Sequence, residues 1–596
     1  MCGIAGEVGR WKWQYTAGTE TTLVNLSQHN IQHMVNSLSH RGPDDRSYWS
    51  TPDSQLLGGG FCANLGMCRL SIIDRENGKQ PFGDKCEVFF NGEIYNHKTL
   101  RRNLRHFDSI SCDTQCDSEV IAKLYERDKE NFIHQLDGMF AIAIWDEQEN
   151  VLKLYRDRIG KKPLYYYHDE AKGIFLFASE IKAILTHPAY KKKMNKQGLY
   201  QYLCLQYIPE PETAFEGIMV VPPGHSLTYD PKENAIDISE YWQFGDTQAV
   251  SEGMEIEDVQ NVLRYAVQKR LESEVPLGVY LSGGIDSAIV TALAAEKIKD
   301  LHTFTMGFLD PKYDETADAQ LIADKFGTNH HVERVTSVDL RGMARDIVAQ
   351  YDQPFGDCSA IPTMLLAKLS KKYITVALNG DGGDEAFGGY PRYWQCQDKM
   401  ETYWQNMLVW PPNYREKIWA ERPLGRNDTC PSLYIHRRLN GPPGTAMMKC
   451  DMVSYMPNDT IVKMERATMA ASVEARSPFL DPAVLQLGLR LPIEQKLSSN
   501  SGKLILKEAF KDMLPDKFIH LPKRGFGVPI NEWLRSSEGL MLMGETILAK
   551  DAFEALPEID RSNVAHLAGI HLSGRRGMGH GLWVLIMLDM WLRRHF

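Results

Sequence analysis

Along the first third of this chain, apolar residues fall in short blocks rather than at helical spacing. Cys86–Phe90, Met139–Trp145, Val151–Tyr155 and Ile174–Ala178 are compact runs rich in branched and aromatic residues. Runs of that length predict strands, and their nearly continuous apolar character predicts strands covered on both faces. Asn91-Gly92 and Asp137-Gly138 read as turns that separate them. Helical spacing appears over Asp117–Arg127 and Ser179–Leu185, so the chain to about residue 205 reads as an α+β unit with stacked sheets.

Pro209, Pro211 and Pro222-Pro223-Gly224 mark a connector, and a polar stretch runs on to Glu252. From Ile256 the period changes. A helix over Ile256–Leu271 leads to a strand over Pro276–Leu281, a glycine-rich turn and a helix over Ala288–Ile298. The strand Leu301–Phe308, the helix Asp314–Phe326 and the strand His331–Val335 follow, and after a longer helical stretch comes the strand Ile374–Leu378. This alternation predicts a parallel, doubly wound sheet that binds ligands beyond the C-terminal ends of its strands. From about residue 395 the pattern is mostly helical. The most apolar stretch, Leu582–Leu588, is followed by Asp589 and by Arg593-Arg594. It is far shorter than the ~18 residues of a membrane span and predicts a core helix.

Composition narrows the picture further. A chain of 596 residues exceeds what one core fills, so at least two domains are expected. A net charge of -10 without a basic block points away from nucleic acid as the main partner. Eleven cysteines are scattered without a repeated CxxC, which predicts neither a disulfide framework nor a zinc site and fits a reducing cytoplasm.

The chemistry begins at Met1-Cys2-Gly3-Ile4-Ala5-Gly6. Loss of Met1 would leave Cys2 carrying both a thiol and a free α-amine. An amine of pKa near ~8 can take the proton of a thiol near ~8.5, so such a nucleophile needs no separate histidine. The plain alternative makes Cys2 one more residue of a buried edge strand. Four polar segments bear on the choice: His40-Arg41-Gly42-Pro43-Asp44, Arg69 to Asp74, Asn91 to Asn96, and Cys116 to Glu119. Each alone has a simpler reading, Asn91-Gly92 as a hairpin turn and Asp117 as a helix cap. Together with Cys2 they resemble the glutaminase domain of class II amidotransferases, the N-terminal-nucleophile hydrolases, over residues 1–222. The resemblance implies that Cys2 attacks the side-chain amide of glutamine, with the Asn91 side chain and the Gly92 amide as oxyanion donors. It also implies that Arg69 pairs with the substrate carboxylate and that Asp117 and the Glu93 region receive the α-ammonium. Leu70, Ser71, Ile72 and Ile73 then complete the glutamine pocket. One departure is Met67, where the family often has histidine.

In the second half, Ser282-Gly283-Gly284-Ile285-Asp286-Ser287 lies between a predicted strand and a predicted helix. Amides at a helix N-terminus cradle an anion. The segment is not a GxxxxGK[ST] loop. It resembles the SGGxDS loop of ATP pyrophosphatases, which cleave ATP between the α- and β-phosphates; an ordinary glycine-rich turn is the plain alternative. Asn379-Gly380-Asp381-Gly382-Gly383-Asp384-Glu385 closes another parallel strand, where alone it would read as a calcium turn or a loop. Convergence of the two ends would let Asp286 and Asp384 share Mg²⁺. Lys503 and Lys523 are candidates to neutralise phosphate, with surface lysines as the alternative.

These loops, the segment Val473-Glu474-Ala475-Arg476-Ser477-Pro478-Phe479-Leu480-Asp481 and the glutaminase half together resemble glutamine-dependent asparagine synthetases along nearly the whole chain. The resemblance implies a connector over 223–252 and an ATP-pyrophosphatase domain over 253–596. It implies ATP contacts from Leu281, Ser282, Gly283, Gly284, Asp286, Ser287, Met306, Asn379, Gly380 and Lys503, and a catalytic role for Asp381. A carboxylate, aspartate by default, would be activated as an acyl-adenylate and receive ammonia through an internal channel. A cytoplasmic enzyme, and a homodimer as is common in the family, are the matching expectations.

Three places depart from enzymes that act on free aspartate. Their acidic loop reads Gly-Glu-Gly-Ser-Asp-Glu, whereas Asp381 and Gly383 stand here. Their arginine-bearing Thr-Thr-Ile-Arg-Ala-Ser segment is replaced by Phe355-Gly356-Asp357-Cys358-Ser359-Ala360-Ile361-Pro362, and Lys523-Arg524-Gly525-Phe526-Gly527-Val528-Pro529 also differs. A pocket without a cation for the α-carboxylate should bind aspartate poorly unless another basic residue substitutes. A sugar uronate, a cell-wall diamino acid or a natural-product acid is the alternative acceptor. A catalytically silent protein of the same fold is disfavoured, because the nucleophile, the oxyanion donors and the pyrophosphate loop are all intact. A ring-forming ligase with the same ATP loop is disfavoured because its glutaminase half would be idle.

Overall fold

The computed structural model describes residues 2–9, 23–52, 61–245, 256–335, 339–396, 400–419, 443–521, 525 and 527–596. Two antiparallel sheets build the first half. The six-stranded sheet runs in the order Asp45–Ser50, Cys62–Arg69, Gly3–Gly9, Ile174–Ala178, Tyr165–Asp169, Ile218–Val220. The five-stranded sheet runs Ala235–Glu240, His225–Asp230, Val151–Arg156, Gly138–Asp146, Cys86–Ile94. Between them lies a core of Cys2, Ile4, Val8, Leu65, Phe89, Ala143, Leu154 and Phe177. The outer face of the five-stranded sheet, Val88, Phe90, Ile142 and Ile144, is covered by Leu100, Leu104, Val120, Ile121 and Leu124 of the helices His97–Phe107 and Asp117–Asp128. Strands apolar on both faces are therefore helix-covered on one side and sheet-covered on the other, which is why their sequences read as continuous apolar runs.

Asn91-Gly92 is not a turn. Both residues lie inside the strand Cys86–Ile94, paired with Ala141 and Phe140, and the ladder continues to Ile94 opposite Gly138. The glycine meets a packing demand: a Cβ at Gly92 would stand 2.0 Å from the Met139 carbonyl oxygen. A close approach of neighbouring backbones uses the same residue that a hairpin would, and pairing decides between them. Asp137-Gly138 likewise opens the next strand.

The second half holds a five-stranded, wholly parallel sheet in the order Asn329–Val335, His302–Phe308, Leu277–Tyr280, Val376–Leu378, Glu474–Arg476. Strand order reverses between Leu277–Tyr280 and Val376–Leu378, so the two glycine-rich loops leave adjacent strand ends at the switch point. Glu474–Arg476 is a strand in a region expected to be helical; three residues are too short to register as a period. The helix after the first loop spans Ile285–Ala295, three residues earlier than the pattern suggested, so Asp286 and Ser287 sit in its first turn.

The C-terminal helix Gly579–His595 buries Trp583 and Trp591 in a core shared with Leu199 and Leu203 of the first half. The Tyr202 hydroxyl donates to the Val584 carbonyl at 2.9 Å across that junction. Among the described residues no helix is long and apolar enough to cross a membrane.

Candidate functional site

Cys2 stands at the head of the strand Gly3–Gly9, in the core between the two antiparallel sheets. Its backbone N–H donates to Asn91 Oδ1 at 3.0 Å, and its carbonyl accepts from Arg41 Nε at 3.0 Å. Burial pushes the thiol up, against the pull of the Leu70 N–H and the Arg69 guanidinium. A thiol held protonated in this way needs a local base. The α-amine released by loss of Met1, a residue outside those described, would be that base and is already oriented by Asn91. Asn91 is fully buried, and its Nδ2 has no hydrogen-bond partner. A buried donor left unpaired is costly, and next to a nucleophile it suits an oxyanion.

Arg69 and Leu70 come next to Cys2, while the other residues of these segments take different partners. Arg69 lies one step beyond the Gly3–Cys68 strand pair. Its guanidinium donates to the carbonyls of Ile73 (3.0 Å), Asp74 (2.8 Å) and Arg75 (3.2 Å), so it also holds the turn that follows. Within that turn the Ser71 N–H donates to Asp44, while Leu70, Ile72 and Ile73 pack into the core of the second half with Val279 and Leu281. Asp117 is the first residue of its helix rather than its cap, which is Cys116. Its Oδ2 accepts from the Ile94 N–H at 3.0 Å. Burial raises the Asp117 carboxyl, against the pull of His97. The Glu93 side chain turns to the other half, pairing with Arg476 at 3.0 Å.

The two loops of the parallel sheet meet as expected. Ser287 Oγ accepts from the Ser282 N–H at 3.0 Å and closes the first loop on its helix. Gly380 and Gly383 press on Asp286: a Cβ at Gly383 would come within 2.6 Å of its Oδ1. The position that carries serine in enzymes acting on aspartate is therefore glycine where the two loops are closest. Lys503 is buried, not a surface lysine; its Nζ pairs with Asp286 and, at 2.5 Å, with Asp384. Lys523 lies outside the described residues.

A cavity of about 380 Å³ opens over these loops. Leu281, Ser282, Gly284, Asp286, Ser287 and Met306 line one side, and Asn379, Gly380, Asp381 and Asp384 another. Gly283 lines a second cavity beside it, with Lys503 and Lys507. Asp357, Cys358, Glu385, Tyr390, Tyr455, Lys463, Gly525 and Gly527 also line it. Lys463, which the motifs did not single out, supplies a cation in this pocket; its Nζ donates to Asp357 at 2.9 Å. Burial pushes the Asp381 carboxyl up to about 6, although Lys463 and Lys161 oppose it.

Between the halves lies a buried charge network. Arg41, which holds the Cys2 carbonyl, also donates to Glu180 at 2.7 Å and to Glu465 of the helix Ile461–Met469. Lys463 and Met464 on that helix line the cavity over the two loops, so one short helix links that cavity to the arginine that holds the Cys2 carbonyl. Removing one partner of a buried pair typically costs ~3–5 kcal/mol, which holds the two halves in register. A smaller cavity in the interface is walled by Lys161 and Lys162 of the first half and by Asp381, Met464, Glu465 and Ser477 of the second. Asp381 thus faces both cavities.

Residues 258–593 match the asparagine synthase family, and residues 1–242 match the glutamine amidotransferase domain family. Asparagine synthetase (glutamine-hydrolyzing) 1 of Bacillus subtilis is 29% identical over 99% of this chain and 96% of its own length. Asparagine synthetase (glutamine-hydrolyzing) 3 of the same organism is 30% identical over 96% of this chain and 98% of its own. A Penicillium rubens protein named amidase chyE is 27% identical, covering 89% of each chain.

Proposed function

This chain belongs to the asparagine synthase family, and on that premise we propose that it makes an amide from a carboxylic acid with ammonia taken from glutamine at Cys2. It is a glutamine-hydrolysing, ATP-dependent ligase. In the proposed sequence, Cys2 attacks the glutamine amide with Asn91 Nδ2 and the Gly92 N–H on the oxyanion. Arg69 and Asp117 hold the two charges of the amino acid. The acceptor carboxylate attacks the α-phosphorus of ATP, and pyrophosphate leaves into the loop Ser282–Ser287 beside Lys503. Ammonia then displaces AMP from the acyl carbon. The observation that carries this reading is Asp381, which faces the nucleotide cavity on one side and the wall of the glutaminase half on the other.

Asp286 and Asp384 are hard oxygen ligands gathered on one ammonium, and they are the residues that would hold Mg²⁺. The ion would supply charge neutralisation to the departing pyrophosphate. Aspartate is the acceptor we favour. Lys463 answers the missing arginine as a cation for the α-carboxylate, and Asp357 or Glu385 would take the α-ammonium. One observation favours a different acid: Lys463 is already committed to Asp357. A sugar uronate, a cell-wall acid or a natural-product acid would need less of its charge.

Pyrophosphate release measured across a panel of carboxylic acids, with glutamine and ATP present, separates these readings. Stimulation by aspartate alone supports the first; silence with aspartate and release with another acid supports the second. Cys2→Ala should abolish use of glutamine and leave turnover with added ammonium. Failure of ammonium to rescue would refute transfer between two sites.

A further inference from the structure

Lys161 is buried at the interface, and its ammonium nitrogen has no hydrogen-bond partner among the described residues. The loop that carries it is tied down: Asp157 accepts from the N–H groups of Ile159 (3.0 Å), Lys161 (3.0 Å) and Lys162 (2.9 Å). Arg156 donates to the carbonyls of Gly160 (2.9 Å) and Lys162 (3.0 Å). The rigid loop places the Lys161 side chain in the interface cavity, where its Nζ has no hydrogen-bond partner. Across the same cavity, Asp381 Oδ2 is also without one. An amine and a carboxyl that line one small buried cavity, each without a hydrogen-bond partner among the described residues, are costly in that state.

We propose that Lys161 is a positioning residue for amide formation, holding the proton that Asp381 removes from the attacking ammonia. The inference rests on the proposed function above and adds to it that Asp381 is the base in amide formation. Ammonia adds to the acyl carbon, and the carbonyl electron pair moves to oxygen. The adduct's N–H⁺ gives its proton to the Asp381 carboxylate, which passes it to Lys161 Nζ through a bridging water in the cavity that both residues line. The carbonyl re-forms as the acyl–oxygen bond breaks, and AMP leaves with that electron pair. Lys161 returns the proton to solvent when the product departs and the cavity fills with water.

The charges around the pair suit this exchange. Burial, then Arg270 and Lys162, push the Lys161 amine well below its ordinary value, against Asp157 and Asp381. Asp381 is faced by Lys463 and Lys161 on one side and by Asp384 and Asp286 on the other. Glu465, the remaining acid of the cavity wall, is held by Arg41 and kept low despite its burial. Burial among these cations therefore favours the neutral amine of Lys161, the form that accepts a proton.

The test uses Lys161→Met, Lys161→Arg and Asp381→Asn in the full enzyme, with ammonium chloride as nitrogen source and the acid that drives pyrophosphate release in the panel. Lys161→Met should lower kcat for amide formation by about 10²-fold at unchanged acceptor KM, unchanged pyrophosphate exchange and unchanged glutamate release. Lys161→Arg should not rescue, since a guanidinium never accepts a proton at these pH values. Rescue by arginine, or a loss confined to KM or thermal stability, overturns the proposal. Amide formation intact in Asp381→Asn would overturn the reading of Asp381 and this inference with it. If no acid of the panel is turned over, the ¹³Cε resonance of Lys161 decides. A depressed titration midpoint that moves in Asp381→Asn supports the exchange, and an ordinary lysine midpoint refutes it.

Discussion

Replacing Asn91 tests the glutaminase site most directly, because one side chain does two jobs there. Its Oδ1 accepts from the Cys2 N–H at 3.0 Å, and its Nδ2 is the unpaired donor. Asn91→Asp keeps the shape and an acceptor for Cys2 but removes the donor and places negative charge where the oxyanion would form. Loss of one such donor typically costs ~3–4 kcal/mol of transition-state stabilisation, or ~10²–10³ in kcat. Asn91→Ala loses both contacts and leaves the Cys2 N–H unpaired in a buried place, adding ~1–3 kcal/mol of lost stability. The two effects separate in the assays. Glutamate release from glutamine should fall by ~10²–10³ in both variants, whereas ammonium-dependent amide formation should stay near wild type in Asn91→Asp. Thermal unfolding should be lowered mainly in Asn91→Ala. Glutamate release within a few-fold of wild type in Asn91→Asp would refute the oxyanion role, and equal loss with ammonium would mean the substitution had disturbed the whole fold.

Two further outcomes follow from the second half. Lys503→Met removes the ammonium shared by Asp286 and Asp384, leaving two like charges together. Pyrophosphate release should be nearly abolished while glutamate release persists, and pyrophosphate release that survives would refute placement of the phosphates beside Lys503. Asp481 lies between Arg270 (2.8 Å) and Lys269 (2.5 Å) and caps its own helix through the Ala483 N–H. Burial would raise its carboxyl, but Arg270 and Lys269 hold it down at about 2 against an ordinary 3.8. A depressed carboxylate contributes stability above its unfolded value and loses it as pH falls through the folded one. Asp481→Asn should therefore be destabilised at neutral pH by roughly 2 kcal/mol, and the difference from wild type should shrink as pH falls from about 4 to 2. Denaturant unfolding at several pH values measures it, and a gap that does not narrow would refute the ion-pair account.

Much of the candidate site was legible because its residues lie in short local patterns. Ser282 to Ser287 and Asn379 to Glu385 combine glycine with small polar side chains at strand ends, and their backbone geometry is set by immediate neighbours. The roles expected of Cys2, Arg69 and Asp117, far apart along the chain, came instead from the resemblance to class II amidotransferases. Asn91-Gly92 shows the limit: the turn that its composition suggests is a strand. Local composition says that backbone needs room there, and only the partner strand says why.

The sequence by itself determined a stacked-sheet unit led by Cys2, a parallel sheet with two glycine-rich loops, and the chemistry those loops serve. Tertiary structure decided how the two units meet. Arg41 and Glu465 are 424 positions apart, and Glu93 and Arg476 are 383 apart. Nothing in the spacing of charged residues pairs them. Lys161 and Lys463 read along the chain as ordinary lysines, and burial across an interface made one an amine without a hydrogen-bond partner among the described residues and the other a cation in the cavity over the two loops. The physical reason is range: hydrogen bonding and periodicity act over a few residues, whereas desolvation and charge pairing depend on whatever the fold brings close.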